Sequence, residues 1–190
     1  MANPDWAYGL LAVESLTGDS PRIERMPLRQ TVQSATAYTT ALYKGQILGW
    51  DYNTTAGGGY LIVVSNTTVA NVVGVAAEYY AGSASTQTDL AVWPASENIF
   101  EVQADNTTTT SNGKLKILQN AAIVGMTAGN TNSGISGMEL DWSSIATTTD
   151  KPLTILKTIA KPGTSSTGSN VQFQVRFNFG RGYEQQATVI

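Results

Sequence analysis

The chain contains no cysteine and no histidine, and Asp, Glu, Lys and Arg make up only 13% of its 190 residues, where about 25% is usual. Each shortage excludes chemistry. Without Cys there is no disulfide framework and no thiol nucleophile. Without His as well there is no Cys/His metal site, no Ser-His-Asp triad and no imidazole acid–base pair. Catalysis would have to rest on carboxylates, Lys or Tyr, and the first expectation is that the chain is not an enzyme. Long apolar runs are missing too. Val72–Ala77, around one Gly, falls far short of the 18 or so residues that span a bilayer. Met1–Leu10 carries Asp5 and no Lys or Arg, so it does not read as a secretory leader. These features predict a soluble protein made in the cytoplasm, with no membrane partner. The net charge of −3 offers no general attraction for nucleic acid.

Small polar residues fill the space left by charge. Thr (25), Ser (15), Asn (12) and Gly (18) account for 70 of the 190 residues. Thr favours strands, whereas Asn, Ser and Gly favour turns, so the composition points to an all-β chain with many polar loops. So neutral a surface suits a subunit covered by its neighbours better than a free monomer, which uses mixed charge to stay soluble.

Residues 1–34 read as an extended N-terminal arm and residues 35–190 as a single β-domain. Three of the five arginines, Arg22, Arg25 and Arg29, fall between Pro21 and Arg29, with Pro27 among them. Prolines so placed disfavour a long helix or a central strand. Such an arm either folds back over its own domain or grips another molecule. From residue 35 on, short apolar or alternating segments succeed one another: Gln46–Tyr52, Tyr60–Ser65, Val69–Tyr80 with a bend at Gly74, Leu90–Trp93, Asn98–Ala104, Lys114–Leu118, Ala121–Met126 and Leu153–Ala160. Val171–Phe179 alternates without a break, which puts Val171, Phe173, Val175, Phe177 and Phe179 on a buried face and the residues between them in water. In Asn98–Ala104 the buried face is Phe100, Val102 and Ala104, leaving Glu101 wet. Asn112-Gly113 signals a hairpin turn, and Met138–Ile145 allows one short helical turn capped by Asp141 or Ser136. The sum is a single β-barrel or β-sandwich of about ten strands with at most one short helix.

No constellation in the sequence carries chemistry. Glu97 and Glu101 read as solvated positions on a strand. Glu139 and Asp141 could share a face but resemble no calcium loop. Gly57-Gly58-Gly59 lacks the Lys and Ser/Thr of a phosphate loop and reads as a hairpin. Three Asn-X-Thr sequons begin at Asn53, Asn66 and Asn106, as chance provides in a chain rich in Asn and Thr. The expectation is therefore no catalytic, cofactor or metal residue. Tyr79, Tyr80, Trp93 and Phe100 read as packing or subunit-interface aromatics.

Ala41-Leu42-Tyr43-Lys44-Gly45-Gln46-Ile47-Leu48 resembles a recurrent segment of tailed-bacteriophage head decoration, or cement, proteins. Val73–Tyr80 does so too, as does Trp93-Pro94 followed by Ile99–Gln103. Ser136–Asp141 and Val171–Phe179 follow in compatible order, so the resemblance runs from Thr36 to Phe179. It implies a virion protein on the outer surface of an icosahedral phage head. Such a protein acts as a homotrimer that ties neighbouring major capsid subunits together against the pressure of packed DNA, without cofactors. On that reading Trp6, Arg22, Ile23, Arg25, Leu28 and Arg29 of the arm touch the capsid, and removal of residues 2–30 leaves a folded body. The alternative is a carbohydrate-binding or adhesin-type β-module of a phage tail or fibre, motivated by Thr/Asn loops set with aromatics.

Overall fold

In the computed structural model the described residues are 7–28, 41–53, 58–63, 72–82, 89–105, 112–125, 129–148, 151–159, 161 and 165–178. They form strands β1 (Leu11–Ser15), β2 (Glu24–Pro27), β3 (Ile47–Asn53), β4 (Gly58–Val63), β5 (Val72–Ala76), β6 (Asp89–Pro94) and β7 (Asn98–Gln103). Then follow β8 (Asn120–Ala121), β9 (Ile123–Val124), β10 (Gly129–Asn130), β11 (Ile135–Ser136), β12 (Glu139–Leu140), β13 (Leu153–Ile159) and β14 (Gln172–Phe177). Five of these strands are only two residues long, and β1 and β2 lie in the segment read as an arm, so the fourteen exceed the ten or so expected. The helical content among the described residues is two 3-10 turns, Gly113–Lys116 and Trp142–Ser144.

The all-β class holds, in the form of open sheets and not a closed barrel. One five-stranded sheet has the order β1-β7-β14-β13-β8, the other β2-β6-β5-β3-β4. Neighbours within each are antiparallel. Two small ribbons, β10-β11 and β12-β9, complete the set. The main core joins both sheets: Ile47, Val75 and Trp93 of the second meet Phe100, Val102, Phe173 and Val175 of the first. A second cluster, with Leu48, Leu61, Ala76, Leu90 and Val92, lies on the other face of the second sheet. Neighbours in sequence alternate between the two clusters, Ile47 against Leu48 and Val75 against Ala76. A sheet buried on both faces reads as a continuous apolar run, hence Val72–Ala76 and Leu90–Trp93.

Local chemistry explains the irregularities. Gly74 sits where β5 bulges against β3, and a Cβ there would fall 2.5 Å from the Trp93 carbonyl oxygen. Asp141, not Ser136, caps the second 3-10 turn, its side chain accepting from the Ser144 N–H at 3.1 Å. Lys114–Leu118 departs from the strand expected of its alternation. Asn112 accepts from the Lys114 N–H at 3.1 Å and caps a 3-10 turn instead of closing a hairpin. Gly113 allows this because a Cβ would lie 2.8 Å from Thr158 and Val171 methyls.

The N-terminal segment is not a free arm over its described part. β1 is an edge strand of the first sheet beside β7, and β2 an edge strand of the second beside β6. Of the two dispositions open to such an arm, residues 7–28 take the one folded onto their own domain. Leu10 and Leu28 enter the two apolar clusters. The chain therefore passes between sheets twice at one corner, from β1 to β2 and from β6 to β7. Asn98, fully buried, fastens the two passages. Its amide oxygen accepts from the Arg22 N–H at 2.8 Å, and its amide nitrogen donates to the carbonyls of Pro94 at 2.9 Å and Arg22 at 3.1 Å. Leu16 N–H donates to the Glu97 carbonyl at 2.8 Å beside it. The boundary near residue 34 lies outside the described residues.

Asn98→Ala takes their side-chain partner from the Arg22 N–H and carbonyl and one of two donors from the Pro94 carbonyl, which keeps the Glu97 N–H. It is expected to lower unfolding stability by about 2–4 kcal/mol, read as a lower urea midpoint with an unchanged slope. Removal of residues 2–30 now predicts loss of cooperative unfolding, since it strips an edge strand from each sheet and a side chain from each core.

Candidate functional site

Two neighbouring features come closest to a site: a buried carboxylate on the outer face of the first sheet, and an open pocket beside it. β7 alternates as expected for Phe100 and Val102, yet Glu101 on the opposite face is only 6% exposed. The wet position expected of it is covered by two groups distant in sequence. The Tyr8 hydroxyl donates to Glu101 Oε1 at 3.0 Å, and the Lys161 ammonium ion-pairs with the same oxygen. Gln103 and Gln172, paired across β7 and β14, are buried on that face as well. Burial pushes the Tyr8 phenol well above its ordinary value, and the Glu101 charge and hydrogen bond push it further. A phenol so held is a donor and not a base.

The pocket measures about 570 Å³ and is lined by Tyr8, Gly129, Asn130, Ser133, Ile135 and Ser136 among others. Its wall is the β10-β11 ribbon, which is fixed to the body by the loop before β3. Lys44 N–H donates to the Gly134 carbonyl and Ser136 N–H to the Lys44 carbonyl, each at 2.9 Å. The ribbon packs on Tyr43 and Tyr79, whose ring centres are 5.7 Å apart. Gly134, at φ +67°, lies where a Cβ would approach Tyr79 Cβ to 2.9 Å. The lining supplies hydroxyls, one amide and backbone, with no carboxylate.

A carboxylate pair for glycoside cleavage needs a separation of roughly 5–9.5 Å. Glu97 lies in the turn before β7 and Glu101 within the strand, and the two have different partners. Glu97 faces Arg22 at 3.0 Å, whereas Glu101 faces Tyr8 and Lys161. Asp141 spends its oxygen on the Ser144 N–H and the Ser143 hydroxyl. Among the described residues no three His, Cys, Asp or Glu side chains cluster to hold a metal.

The other residues singled out from the sequence are dispersed. Arg25 contacts Asp89 at 2.7 Å and Glu78 at 3.3 Å, and both carboxylates raise its already high pKa, the hydrogen bond to Asp89 most. Arg22 adds Glu24 at 3.9 Å to Glu97. The guanidinium forks expected to seek carboxylates on a partner thus meet carboxylates of their own chain. Leu28 is buried in the second core cluster, which takes it out of any outward contact, while Ile23 is exposed. Trp6 and Arg29 lie outside the described residues. Tyr80, Trp93 and Phe100 are core residues. Phe100 meets Phe177 edge to face at 5.4 Å, and Lys44 Nζ stands 5.7 Å from the centre of the Trp93 ring. Of the four aromatics only Tyr79 reaches the surface. Asn53 ends β3; Asn66 and Asn106 lie outside the described residues.

Sequence reasoning missed Tyr8 and Lys161. The available signal was an unmatched charge at Glu101 on a strand with an otherwise neutral outer face.

No protein-family model, no curated protein and no solved structure matches the chain. Among the described residues no helix is long and apolar enough to cross a membrane.

The Tyr8–Glu101 bond gives a signed prediction. The folded pKa of Tyr8 lies above the unfolded value near 10, so its contribution is complete below about pH 10 and is lost as pH rises beyond that. Tyr8→Phe is expected to cost about 1.5–3 kcal/mol at neutral pH, the range for a hydrogen bond to a charged group. It should also flatten the fall in urea midpoint between about pH 9 and pH 11 relative to the native chain. Equal slopes for the two proteins would show that Tyr8 is not the group involved.

Proposed function

We propose that this chain is a structural virion protein of a tailed bacteriophage. It decorates the outer surface of the icosahedral head and cements neighbouring major capsid subunits, without catalysis. The observation that carries the reading is how the resembling segments sit together. Leu42 and Tyr80 form a β-bridge, and Gly45 N–H donates to the Ala76 carbonyl at 2.8 Å. Val75 of β5 lies opposite Trp93 of β6, and β6 runs through the Asn98 corner into Ile99–Gln103 of β7. The segments that resemble cement proteins are thus one connected piece of framework. Such a framework suits a rigid clasp, which adds buried area across a seam so that opening the seam also loses that area.

The arm contacts of the sequence reading narrow accordingly. Ile23, Arg22 and Arg25 remain on the surface, the two arginines within ion-pair networks that a capsid carboxylate would have to join. Trp6 and Arg29 remain candidates from sequence alone.

The second reading, a carbohydrate-binding module, is favoured by one observation. Tyr79 is exposed beside Tyr43, and an exposed aromatic face suits stacking on a sugar ring.

The deciding experiment adds the full-length purified chain to phage heads that lack a decoration protein. Saturable co-sedimentation is expected, together with a higher temperature of DNA release. Absence of binding at saturating protein would overturn the cement reading. Retention of the chain on immobilised glycans, lost in Tyr79→Ala, would favour the module.

A further inference from the structure

Ten of the fourteen acidic residues fall in residues 1–105 with four of the eleven basic ones, a net charge of −6. Residues 106–190 hold four acidic and seven basic residues, a net charge of +3. The exposed large apolar side chains divide along the same line, and two groups of them lie towards opposite edges of the first sheet, the second reaching round the corner to the start of β2.

The first group follows the 3-10 turn at Gly113–Lys116. Leu115 is 72% exposed and Leu118 76%, with Ile117 partly exposed between them. Lys114 and Lys116 alternate with them in sequence, and Lys116 Nζ stands 5.5 Å from the centre of the Trp142 ring. Leu118 has φ +65°, a conformation a branched side chain seldom adopts. Its N–H donates to the Ile155 carbonyl at 2.8 Å, and Ile155 N–H donates to the Gln119 carbonyl at 2.9 Å. Leu118 is thereby pinned along the outer side of β13, at the β8 edge, with its side chain in water.

The second group lies at the other edge. Val13 is the extra residue of a bulge in β1, between the Ala12–Phe100 and Glu14–Ile99 pairs. Leu16 is 52% and Ile23 55% exposed, and both are held at the Asn98 corner, Leu16 through Glu97 and Ile23 through its neighbour Arg22. Arg22 is engaged by Glu97 and Glu24, which leaves the charges of Glu14 and Asp19 in excess around the group.

One patch is apolar with lysines, the other apolar with carboxylates. Four strand spacings separate them, roughly 19 Å. Charge complementarity selects the occupant. We infer that each patch docks onto the unlike patch of a second copy of this chain, Leu115 and Leu118 of one copy against Leu16 and Ile23 of the next. A contact between unlike patches is heterologous, so each copy keeps one patch open until a ring closes. The contact needs no capsid and holds whatever the assembly decorates. It assigns Ile23 to a neighbouring copy instead of a capsid subunit.

The test uses the full-length chain in solution with no heads present, so its outcome is separate from that of the head-binding experiment. Sedimentation of the native chain at about 50 μM is expected to show an oligomer that dissociates on dilution. Two variants each break one patch. The first combines Leu115→Ser with Leu118→Gly, and the glycine suits the positive φ, so the fold is retained. The second combines Leu16→Ser with Ile23→Ser. Each alone should be monomeric with a native near-ultraviolet circular dichroism spectrum. An equimolar mixture should form a pair that stops at two, because only one complementary patch remains on each partner.

Charge provides a version that leaves the apolar residues in place. Lys114→Glu should raise the dissociation constant about tenfold, and mixing it with Glu14→Lys should recover the loss. A native chain that stays monomeric, patch variants that oligomerise like the native chain, or a mixture that stays monomeric would each overturn the inference. Where either apolar variant fails to melt cooperatively, the charge exchange decides alone, and absence of recovery overturns it.

Discussion

The fold depends on the corner where the chain passes twice between its sheets. Backbone that leaves one ladder for another must satisfy its N–H and C=O groups on the way, and here two such passages run side by side. A single buried amide serves both, since Asn98 bonds Arg22 of one passage and Pro94 of the other. With the corner fixed, β1 must lie beside β7 and β2 beside β6. Residues 7–28 thereby form a flank of the sandwich. The burial of Glu101 is a consequence, because Tyr8, which covers it, stands three residues before β1.

The scarcity of charge also follows from the architecture. An ordinary antiparallel sheet has a wet face on which Lys and Glu alternate with core residues. The second sheet has apolar clusters on both faces, so it has little room for charge. Much of the charge that remains is used within the chain. Arg25 holds Glu78 and Asp89, Arg22 holds Glu97, and Lys161 holds Glu101. Neutrality was expected to reflect a surface covered by neighbours. A large part of it is instead the signature of a sheet buried on two sides within one chain.

Sequence periodicity was a good guide to the inward faces and a poor one to what covers the outward ones. Phe173, Val175 and Phe177 lie in the core as their alternation required, because period two in a strand is local geometry. Whether Glu101 is wet depends on Tyr8, 93 residues away in sequence, and no local pattern encodes that. That the arm would pair as edge strands was not legible, for a different reason. Pro21 and Pro27 argue against a central strand but not against an edge strand, where a missing N–H need not break the ladder. Pro27 ends β2 at such an edge. Lys114–Leu118 shows the limit of alternation itself. Its first four residues alternate, Lys-Leu-Lys-Ile, but the Asn112 cap and the close approach of Gly113 to Val171 select a 3-10 turn. The four aromatics separated by depth, three entering the core, which composition alone does not predict.

Among the described residues each sheet ends in edge strands, and an edge strand invites another. The β1 edge is interrupted by the bulge at Val13, and β2 is short and ends in proline. At the far edge of the first sheet, β8 has only two residues, and Asn120 beyond β13 bridges Ala146. Strand addition is thus blocked by geometry at these edges, while the apolar side chains beside them remain in water. That combination suppresses association through the backbone, which would accept almost any strand. It leaves association through side chains, where the pairing of lysines with carboxylates selects the partner. Bulge, proline and truncated strand are then the devices that make the exposed leucines specific instead of merely sticky.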